Sequence, residues 1–252
     1  MNTDLQSLST SQTTIPDEQH SLHGKHSTSS VKSKKRLFVS NKDETIPLFD
    51  NPFLEYFSHI HPATPLVYVP VAGYLVYSVA HMITLYMAGM MFLVGLLVWT
   101  LTEYILHRYV FHYEPQSSLG KKIHFLVHGI HHDYPRDSTR LVMPLLISAP
   151  LAGLFYLAFA TLGGAWGIVL FAGFIIGYVC YDIIHYATHH LTMRGKIGAF
   201  LKTYHMRHHF EDDHHAFGVS SPLWDFIFRS LPIYLRSKSP EHRKEPIEPA
   251  RH

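Results

Sequence analysis

The sequence predicts an all-α integral membrane protein in which four transmembrane helices form two hairpins beneath a cytosolic helical cap. The transmembrane helices are predicted by two long apolar blocks, residues 62–102 and 141–181, neither of which contains Asp, Glu, Lys or Arg. Each block is about twice the roughly 20 residues with which one helix crosses a bilayer. The helical cap is predicted by four histidine clusters that lie beyond the carboxyl ends of these blocks, at 107–112, 128–132, 185–189 and 205–209. We therefore expect two helices per block and a histidine-rich dimetal site in the cap.

Turn signals divide each block into two spans. In the first block the polar residues of the segment 81–84 mark the turn, and in the second block the glycine pair 163–164 breaks the run beside Trp166. Because a hairpin returns the chain to its starting side, all four histidine clusters should lie on one face of the membrane. A soluble protein is a poor alternative, since uncharged runs of this length are rare outside membranes.

The basic residues predict which face this is. They cluster outside the spans, on the side of the histidine clusters, so the positive-inside rule makes that side and both termini cytosolic. The membrane would be the endoplasmic reticulum in a eukaryote and the inner membrane in a bacterium. The net charge of +2 gives no reason to expect a nucleic-acid partner. The residues that set the orientation include Lys32, Lys34, Lys35, Arg36, Arg108, Lys121, Lys122, Arg136, Arg140, Arg194, Lys196, Lys202 and Arg207.

The histidine clusters have the spacing of metal ligands. Three clusters place imidazoles three or four residues apart, which is one face of an α-helix. The first pair is five residues apart and diverges by roughly 140° on an ideal α-helix, so we expect it to straddle a helix end. Ten convergent imidazoles exceed the needs of one ion and predict two neighbouring metal centres. The expected ligands are His107, His112, His128, His131, His132, His185, His189, His205, His208 and His209.

The chain is predicted to fold as one domain, residues 46–235, between a disordered cytosolic tail at 1–45 and a flexible tail at 236–252. The amino-terminal segment is rich in Ser, Thr, His and Lys and lacks the apolar core of a signal peptide. Residues 51–61 carry four large apolar side chains and predict an interfacial amphipathic helix.

Two acidic residues precede probable ligands and are candidates for orienting them. Glu103 lies four residues before His107, and Asp182 lies three residues before His185. Metal-bound histidine usually donates its other ring N–H to a carboxylate or a carbonyl. Capping or exposure to cytosolic water is the alternative for both residues.

Six segments carry the most distinctive motifs of the chain: HRYVFH at 107–112, HGIHHDYPRDSTRLVMP at 128–144, GYVCYDIIHY at 177–186, YHMRHHF at 204–210, FGVSSPLWD at 217–225 and NPFLE at 51–55. Together they resemble the fatty acid 2-hydroxylases of the sterol desaturase and fatty acid hydroxylase superfamily. The resemblance implies hydroxylation of carbon 2 of the acyl chain of a sphingolipid or ceramide, or of a free fatty acid, by a histidine-held dimetal centre using oxygen. It also draws attention to the pair Tyr181 and Asp182 as catalytic residues.

The chemistry of this reaction constrains the cofactor and the redox partner. Insertion of oxygen into an unactivated C–H bond requires a redox-active metal, so iron is expected. Zinc fits a histidine site equally well but has no redox chemistry, and it stays open as an alternative occupant. Several relatives carry a fused cytochrome b5 domain with a His-Pro-Gly-Gly motif, which this sequence lacks. We therefore expect a separate electron donor, a cytochrome b5 or a ferredoxin with its reductase.

Other functions remain as alternatives at this point. A superfamily member acting on a sterol or a carotenoid is the nearest, although the segments 140–144 and 217–220 favour an acyl substrate. A membrane metal transporter should place polar ligands at the bilayer midplane, yet the block 141–181 contains no His, Asp or Glu. A non-catalytic scaffold would leave the clustered histidines without a role.

Overall fold

The computed structural model describes residues 37–236, and within this range the chain is helical with no strand. Long apolar helices α2, α3 and α6 form a bundle, and the shorter helices cover the end where α3 and α6 finish. The helices are α1 (Pro52–Ser58), a 3₁₀ turn (Thr64–Val67), α2 (Tyr68–Val79), α3 (Leu85–Ile105), a π-helical segment (Leu106–Phe111), α4 (Ser118–His124), a second π-helical segment (Phe125–Gly129), α5 (Ile130–Asp133), α6 (Leu145–His190), α7 (Gly195–Phe210), α8 (Leu223–Ile227) and α9 (Ile233–Arg236).

Helix α6 is a helical hairpin broken at Gly164. Gly164 has φ 54° and ψ −132°, a conformation that side-chain-bearing residues rarely adopt. The two arms touch at Gly167, where an added Cβ would lie 1.8 Å from the carbonyl oxygen of Phe159. Further along, the rings of Phe155 and Phe174 are 4.8 Å apart. The break that the glycine pair predicted is therefore confirmed.

Glycines bring α3 against the second arm of α6. A Cβ on Gly95 would lie 2.0 Å from the Leu170 carbonyl oxygen, and a Cβ on Gly173 would lie 2.0 Å from the Phe92 carbonyl oxygen. Small residues allow such close backbone approach, which is a common way of packing helices in membranes. Toward the histidine-bearing end, Trp99 packs edge-on against Phe174 at 5.1 Å.

The outer surface of this bundle suits lipid better than water. The continuous helical stretches Leu85–Phe111 and Leu145–His190 are long and apolar enough to cross a membrane, and Thr64–Val79 is a shorter apolar stretch. Leu93 and Leu97 on α3 are half exposed or more, and an extended apolar surface of this kind marks a lipid or protein contact. The predicted turn at 81–84 is confirmed, since α2 ends at Val79 and Thr84 caps α3 by accepting a hydrogen bond from the Met87 N–H.

The predicted tail at 1–45 needs correction at its carboxyl end. Residues 37–45 lie along the folded domain: the Val39 N–H donates to the Asp133 carbonyl at 2.9 Å, and the Thr45 hydroxyl donates to Asp137 Oδ1 at 2.9 Å. Composition alone predicted disorder here because these contacts are made with distant residues. The rest of that prediction, residues 1–36, lies outside the described residues, as does the predicted tail beyond Arg236.

Candidate metal centre

The ten predicted histidines meet at one end of the bundle in two groups of five. Within each group every histidine places one ring nitrogen within 4.8 Å of those of the others. Eight of the ten residues are buried, and His112 and His132 are half-buried. Group A consists of His107, His112, His128, His132 and His208, and group B consists of His131, His185, His189, His205 and His209.

The pattern H-x-x-H-H occurs twice, at 128–132 and 205–209, and each copy contributes to both groups. His128 and His132, four residues apart on one helical face, belong to group A, whereas His131 between them belongs to group B. The segment 205–209 divides in the opposite sense, with its i,i+4 pair in group B and His208 in group A. Both groups therefore have the same composition: two pairs and one single imidazole. The doubled motif is what places the groups side by side.

The pair His107 and His112 corrects a prediction. On an α-helix these residues diverge, but Leu106–Phe111 is π-helical, and the His112 N–H donates to the His107 carbonyl at 3.2 Å. In a π-helix residues i and i+5 are hydrogen-bonded neighbours, so the two imidazoles share a face and their Nε2 atoms are 3.3 Å apart. The pair does end a helix, as expected, but through this wider turn.

The spacing of the ring nitrogens fits a coordination shell. In group B the Nε2 atom of His205 lies 2.9 Å from that of His189 and 3.1 Å from that of His209. In group A the Nε2 atoms of His128 and His132 are 3.0 Å apart. Metal–imidazole bonds of about 2.1 Å give ligand–ligand separations of about 3.0 Å at right angles and about 3.4 Å at the tetrahedral angle. The residues present therefore fit two metal ions.

The electrostatics of the site keep these imidazoles neutral. Burial, reinforced by the neighbouring histidines, lowers the pKa of His112 to about 2 and that of His131 to about 3. The same two causes place the pKa of His132 and of His209 well below the usual value. A neutral imidazole keeps a lone pair on one nitrogen, which is the form that binds a metal.

Two backbone carbonyls orient histidines of group A. His107 Nδ1–H donates to the Phe217 carbonyl at 2.5 Å, and His208 Nδ1–H donates to the His215 carbonyl at 2.7 Å. Both bonds leave Nε2 free to face the group. These acceptors cannot be recognised from the sequence because a carbonyl is present at every residue, although the FGVS segment marks the loop that supplies one of them.

Glu103 supports this loop and does not orient His107 directly. Its carboxylate accepts hydrogen bonds from the Val219 N–H at 2.7 Å, the Ser220 N–H at 2.9 Å and the Ser220 hydroxyl. Asp225 binds the preceding stretch, accepting from the Phe217 N–H at 3.0 Å and the Gly218 N–H at 2.7 Å. The expectation for Glu103 is thus corrected: its neighbour in space is the loop, which sequence spacing cannot show.

Asp182 and Tyr181 lie beside group B. Tyr181 stacks on His185 with ring centroids 5.5 Å apart, and Asp182 is 3% exposed. Among the described residues Asp182 Oδ2 and His185 Nδ1 have no hydrogen-bond partner, so the expected bond between the two residues is not formed. Asp182 instead lines a neighbouring cavity together with His185.

This cavity is apolar and reaches both histidine groups. Its volume is about 410 Å³, and its wall includes His128 of group A together with His131 and His185 of group B. Most of the remaining wall is aliphatic or aromatic, and α1, the second π-helical segment, the loop at 141–144 and the start of α6 all contribute to it. Tyr181 and Asp182 contribute polar atoms next to the histidines. An elongated apolar molecule bound here would lie against the proposed metal centres.

Comparison with known proteins agrees with this architecture. The fatty acid hydroxylase family model matches residues 92–230, and the chain belongs to this family. The dihydroceramide fatty acyl 2-hydroxylase FAH1 of Arabidopsis thaliana is 36% identical over 200 residues, covering 78% of this chain and 82% of the relative. The ceramide very long chain fatty acid hydroxylase SCS7 of Saccharomyces cerevisiae is 40% identical over 190 residues, covering 72% of this chain and 48% of the relative.

A solved structure shares the fold as well as the sequence. It is that of full-length scs7p, in which only the hydroxylase domain is visible. The TM-score is 0.70 at 38% sequence identity, and the match covers 74% of this chain and 72% of that one. The family resemblance that the motifs carried is thereby confirmed, and the match favours a lipid-modifying oxidoreductase over a transporter or a scaffold.

Proposed function

We propose that the protein is a membrane-bound fatty acyl 2-hydroxylase. It converts the C–H bond at carbon 2 of an acyl chain, in a ceramide or a free fatty acid, into C–OH. One oxygen atom of O₂ enters the product, and the other leaves as water with two protons and two externally supplied electrons. The observation that carries the proposal is the apolar cavity with His128, His131 and His185 in its wall, because it brings an acyl chain to both histidine groups.

Groups A and B would each hold one metal ion through their imidazole nitrogens. The bound metals supply the oxygen activation that amino-acid side chains cannot provide, which makes iron the expected native metal and zinc an alternative occupant. The protein's contribution is to fix the ligands and exclude water. The carbonyl partners of His107 and His208 fix the orientation of these two ligands. Burial of most of the ten histidines excludes water from the site.

Tyr181 and Asp182 are proposed to act on the substrate next to the histidines. Both residues line the cavity, where the Tyr178 hydroxyl is the protein group that interacts with the Asp182 carboxyl. A carboxylate there accepts a hydrogen bond from an amide N–H or a hydroxyl of the lipid headgroup, and so holds carbon 2 beside the histidine groups. The Tyr181 ring stacked on His185 closes the wall on that side.

The proposed membrane arrangement has four spans in two hairpins. The shorter apolar stretch Thr64–Val79, the stretch Leu85–Phe111 and the two arms of α6 are the four segments. The ten histidines of groups A and B would then lie at the cytosolic face, as the basic residues between and after the hairpins indicate. This places the enzyme in the endoplasmic reticulum membrane of a eukaryote or in the inner membrane of a bacterium.

Electrons are proposed to come from a separate protein. The sequence has one cysteine, too few for an iron–sulfur cluster, and no His-Pro-Gly-Gly motif. A cytochrome b5, or a ferredoxin with its reductase, would dock through acidic residues onto exposed basic side chains near the histidine end. The basic candidates are Arg136, Arg194, Lys196 and Lys202. The first three are exposed, whereas Lys202 is half-buried and donates to the Thr188 and Leu191 carbonyls.

Lipid mass spectrometry tests the function directly. Cells expressing the protein should accumulate 2-hydroxylated acyl chains, and the variants His131→Ala and His208→Ala should each lose this product. His190→Ala is the matched control, because His190 follows His189 but belongs to neither histidine group. Full product from both ligand variants, or hydroxylation at another carbon, would contradict the proposal.

A further inference from the structure

One peptide group links a buried carboxylate to a histidine of group A. The carbonyl of Phe217 accepts the hydrogen bond from His107 Nδ1–H at 2.5 Å. The N–H of Gly218, in the same peptide group, donates to Asp225 Oδ2 at 2.7 Å. Asp225 is completely buried, so water does not compete for its carboxylate. The order of groups is therefore carboxylate, peptide, imidazole.

We infer that Asp225 is a positioning residue for group A that acts on His107 through the 217–218 peptide. The inference rests on the proposed metal-binding function. A carboxylate bonded to the N–H end of a peptide polarises its carbonyl, and hydrogen bonds in such a chain strengthen one another. The carbonyl then holds the Nδ1 proton of His107 more firmly. His107 Nε2 is thereby kept as the metal-binding nitrogen and becomes a stronger donor to the metal.

The local sequence is suited to this contact. A Cβ at position 218 would lie 2.1 Å from the Ser221 carbonyl oxygen and 3.0 Å from Asp225 Oδ2, so glycine is required for the close approach. Asp225 Oδ1 is in turn held by the Ser230 hydroxyl at 2.7 Å and the Phe217 N–H at 3.0 Å. The carboxylate is thus fixed by three donors, one of which belongs to the connecting peptide.

Glu103 provides an internal comparison on the same loop. It is also buried, at 4% exposure, and it also accepts backbone N–H groups, but from Val219 and Ser220. Those N–H groups belong to the following peptides, which His107 does not contact. Glu103 therefore anchors the loop without contacting a peptide that binds an imidazole. If anchoring of the loop were the only role of the two carboxylates, removing the charge of either one should weaken metal binding to a similar extent.

His208 provides a second comparison within group A. Its carbonyl acceptor belongs to the 215–216 peptide, whose Ala216 N–H donates to the Ser230 carbonyl at 3.0 Å. The 215–216 peptide is therefore bonded to a neutral carbonyl, whereas the 217–218 peptide is bonded to the Asp225 carboxylate. We expect the hydrogen bond from His107 Nδ1–H to be stronger than the one from His208 Nδ1–H for this reason.

Metal retention distinguishes the inference from a purely structural role. The wild type, Asp225→Asn and Glu103→Gln are loaded with ferrous iron under anaerobic conditions in detergent, titrated with a chelator, and assayed for retained iron. We expect Asp225→Asn to release one of two iron equivalents at a chelator concentration roughly tenfold to a hundredfold lower than the wild type. Glu103→Gln should release both as the wild type does.

The outcomes of this titration distinguish the role of Asp225 from the proposed two-metal function. Equal weakening in both variants, or no weakening in Asp225→Asn, overturns the role of Asp225 while leaving the two-metal proposal intact. A wild type that retains no iron overturns the proposed function and the inference with it. Melting temperatures of the three loaded proteins show whether a loss of iron reflects a loss of fold.

A measurement on the unmodified protein covers the case in which Asp225→Asn fails to fold. In the zinc-loaded wild type labelled with nitrogen-15 histidine, the Nδ1 proton of His107 should resonate further downfield than that of His208. Glutamine variants of each histidine assign the two signals. Equal shifts, or the reverse order, overturn the inference.

Discussion

His131 and His132 are adjacent in the chain, yet their imidazoles belong to different histidine groups, with ring centroids 6.1 Å apart. Both rings also contact His209, His131 at 4.6 Å and His132 at 4.4 Å. The border between the two proposed metal centres therefore runs between consecutive residues. A change at either position should affect one centre first.

His131→Ala and His132→Ala should each lower the metal content from two equivalents to about one, because each removes one imidazole from a group of five. The remaining equivalent should belong to the other group. Metal analysis of purified protein after dialysis against a weak chelator measures this. His190→Ala should retain both equivalents, and loss of both from a folded single variant would show that the groups do not bind independently.

Gly173→Ala should destabilise the bundle. The added Cβ would lie 2.0 Å from the Phe92 carbonyl oxygen, so α3 and α6 must move apart, at a cost of about 1–3 kcal/mol in the free energy of unfolding. Gly89→Ala on α3 is the matched control, since a Cβ there meets nothing within 4 Å. Thermal unfolding in detergent compares them, and equal melting temperatures would refute this close packing.

Glu55 should contribute a pH-dependent part of the stability. Burial alone would raise its pKa, but the Leu48 and Phe49 N–H groups, His59 and Arg140 outweigh burial and lower the pKa from 4.5. The carboxylate therefore stabilises the fold above pH 4.5, and this stabilisation disappears as the pH falls through the lowered folded-state value.

The variant Glu55→Gln tests this dependence. Its melting temperature should lie below that of the wild type at pH 7, and the difference should shrink at pH values below about 4.5. Effects of acid on the histidines of groups A and B are common to both proteins and cancel in the comparison. A difference that stays constant from pH 7 to pH 4 would show that charge on Glu55 is not the cause.

Val142→Trp should block the substrate without removing metal. Val142 is 3% exposed in the wall of the cavity and belongs to neither histidine group, so a larger side chain fills space that an acyl chain would occupy. We expect 2-hydroxylated product to fall at least tenfold while iron content stays close to the wild type. Val142→Ala should keep the product, and normal activity in Val142→Trp would place the acyl chain elsewhere.

The sequence was sufficient for the parts of the structure that depend on local pattern. The absence of charge over two long blocks, the polar turn at 81–84 and the glycine pair at 163–164 predicted the helical hairpins. Offsets of three and four residues predicted that the histidines converge. Both kinds of signal are read within a few turns of one helix, which is the range over which sequence pattern determines structure.

The parts that the sequence did not show depend on contacts between distant residues or on unusual backbone. Five-residue spacing predicted divergence of His107 and His112 because an α-helix was assumed, whereas the chain adopts a π-helix there. The position of Glu103 four residues before His107 makes it a candidate orienter, but its carboxylate accepts the N–H groups of Val219 and Ser220 instead. The division of each H-x-x-H-H segment between two groups likewise requires the packing of α5, α6 and α7.

The central claim is that the protein inserts oxygen from O₂ at carbon 2 of an acyl chain, and isotope labelling tests it most directly. The purified, iron-loaded protein in lipid is given ¹⁸O₂, an acyl lipid and a cytochrome b5 or ferredoxin with its reductase. The account predicts a 2-hydroxylated product carrying one ¹⁸O atom, absent from the His131→Ala variant. A hydroxyl oxygen that comes from water, or one attached to a different carbon, would contradict it.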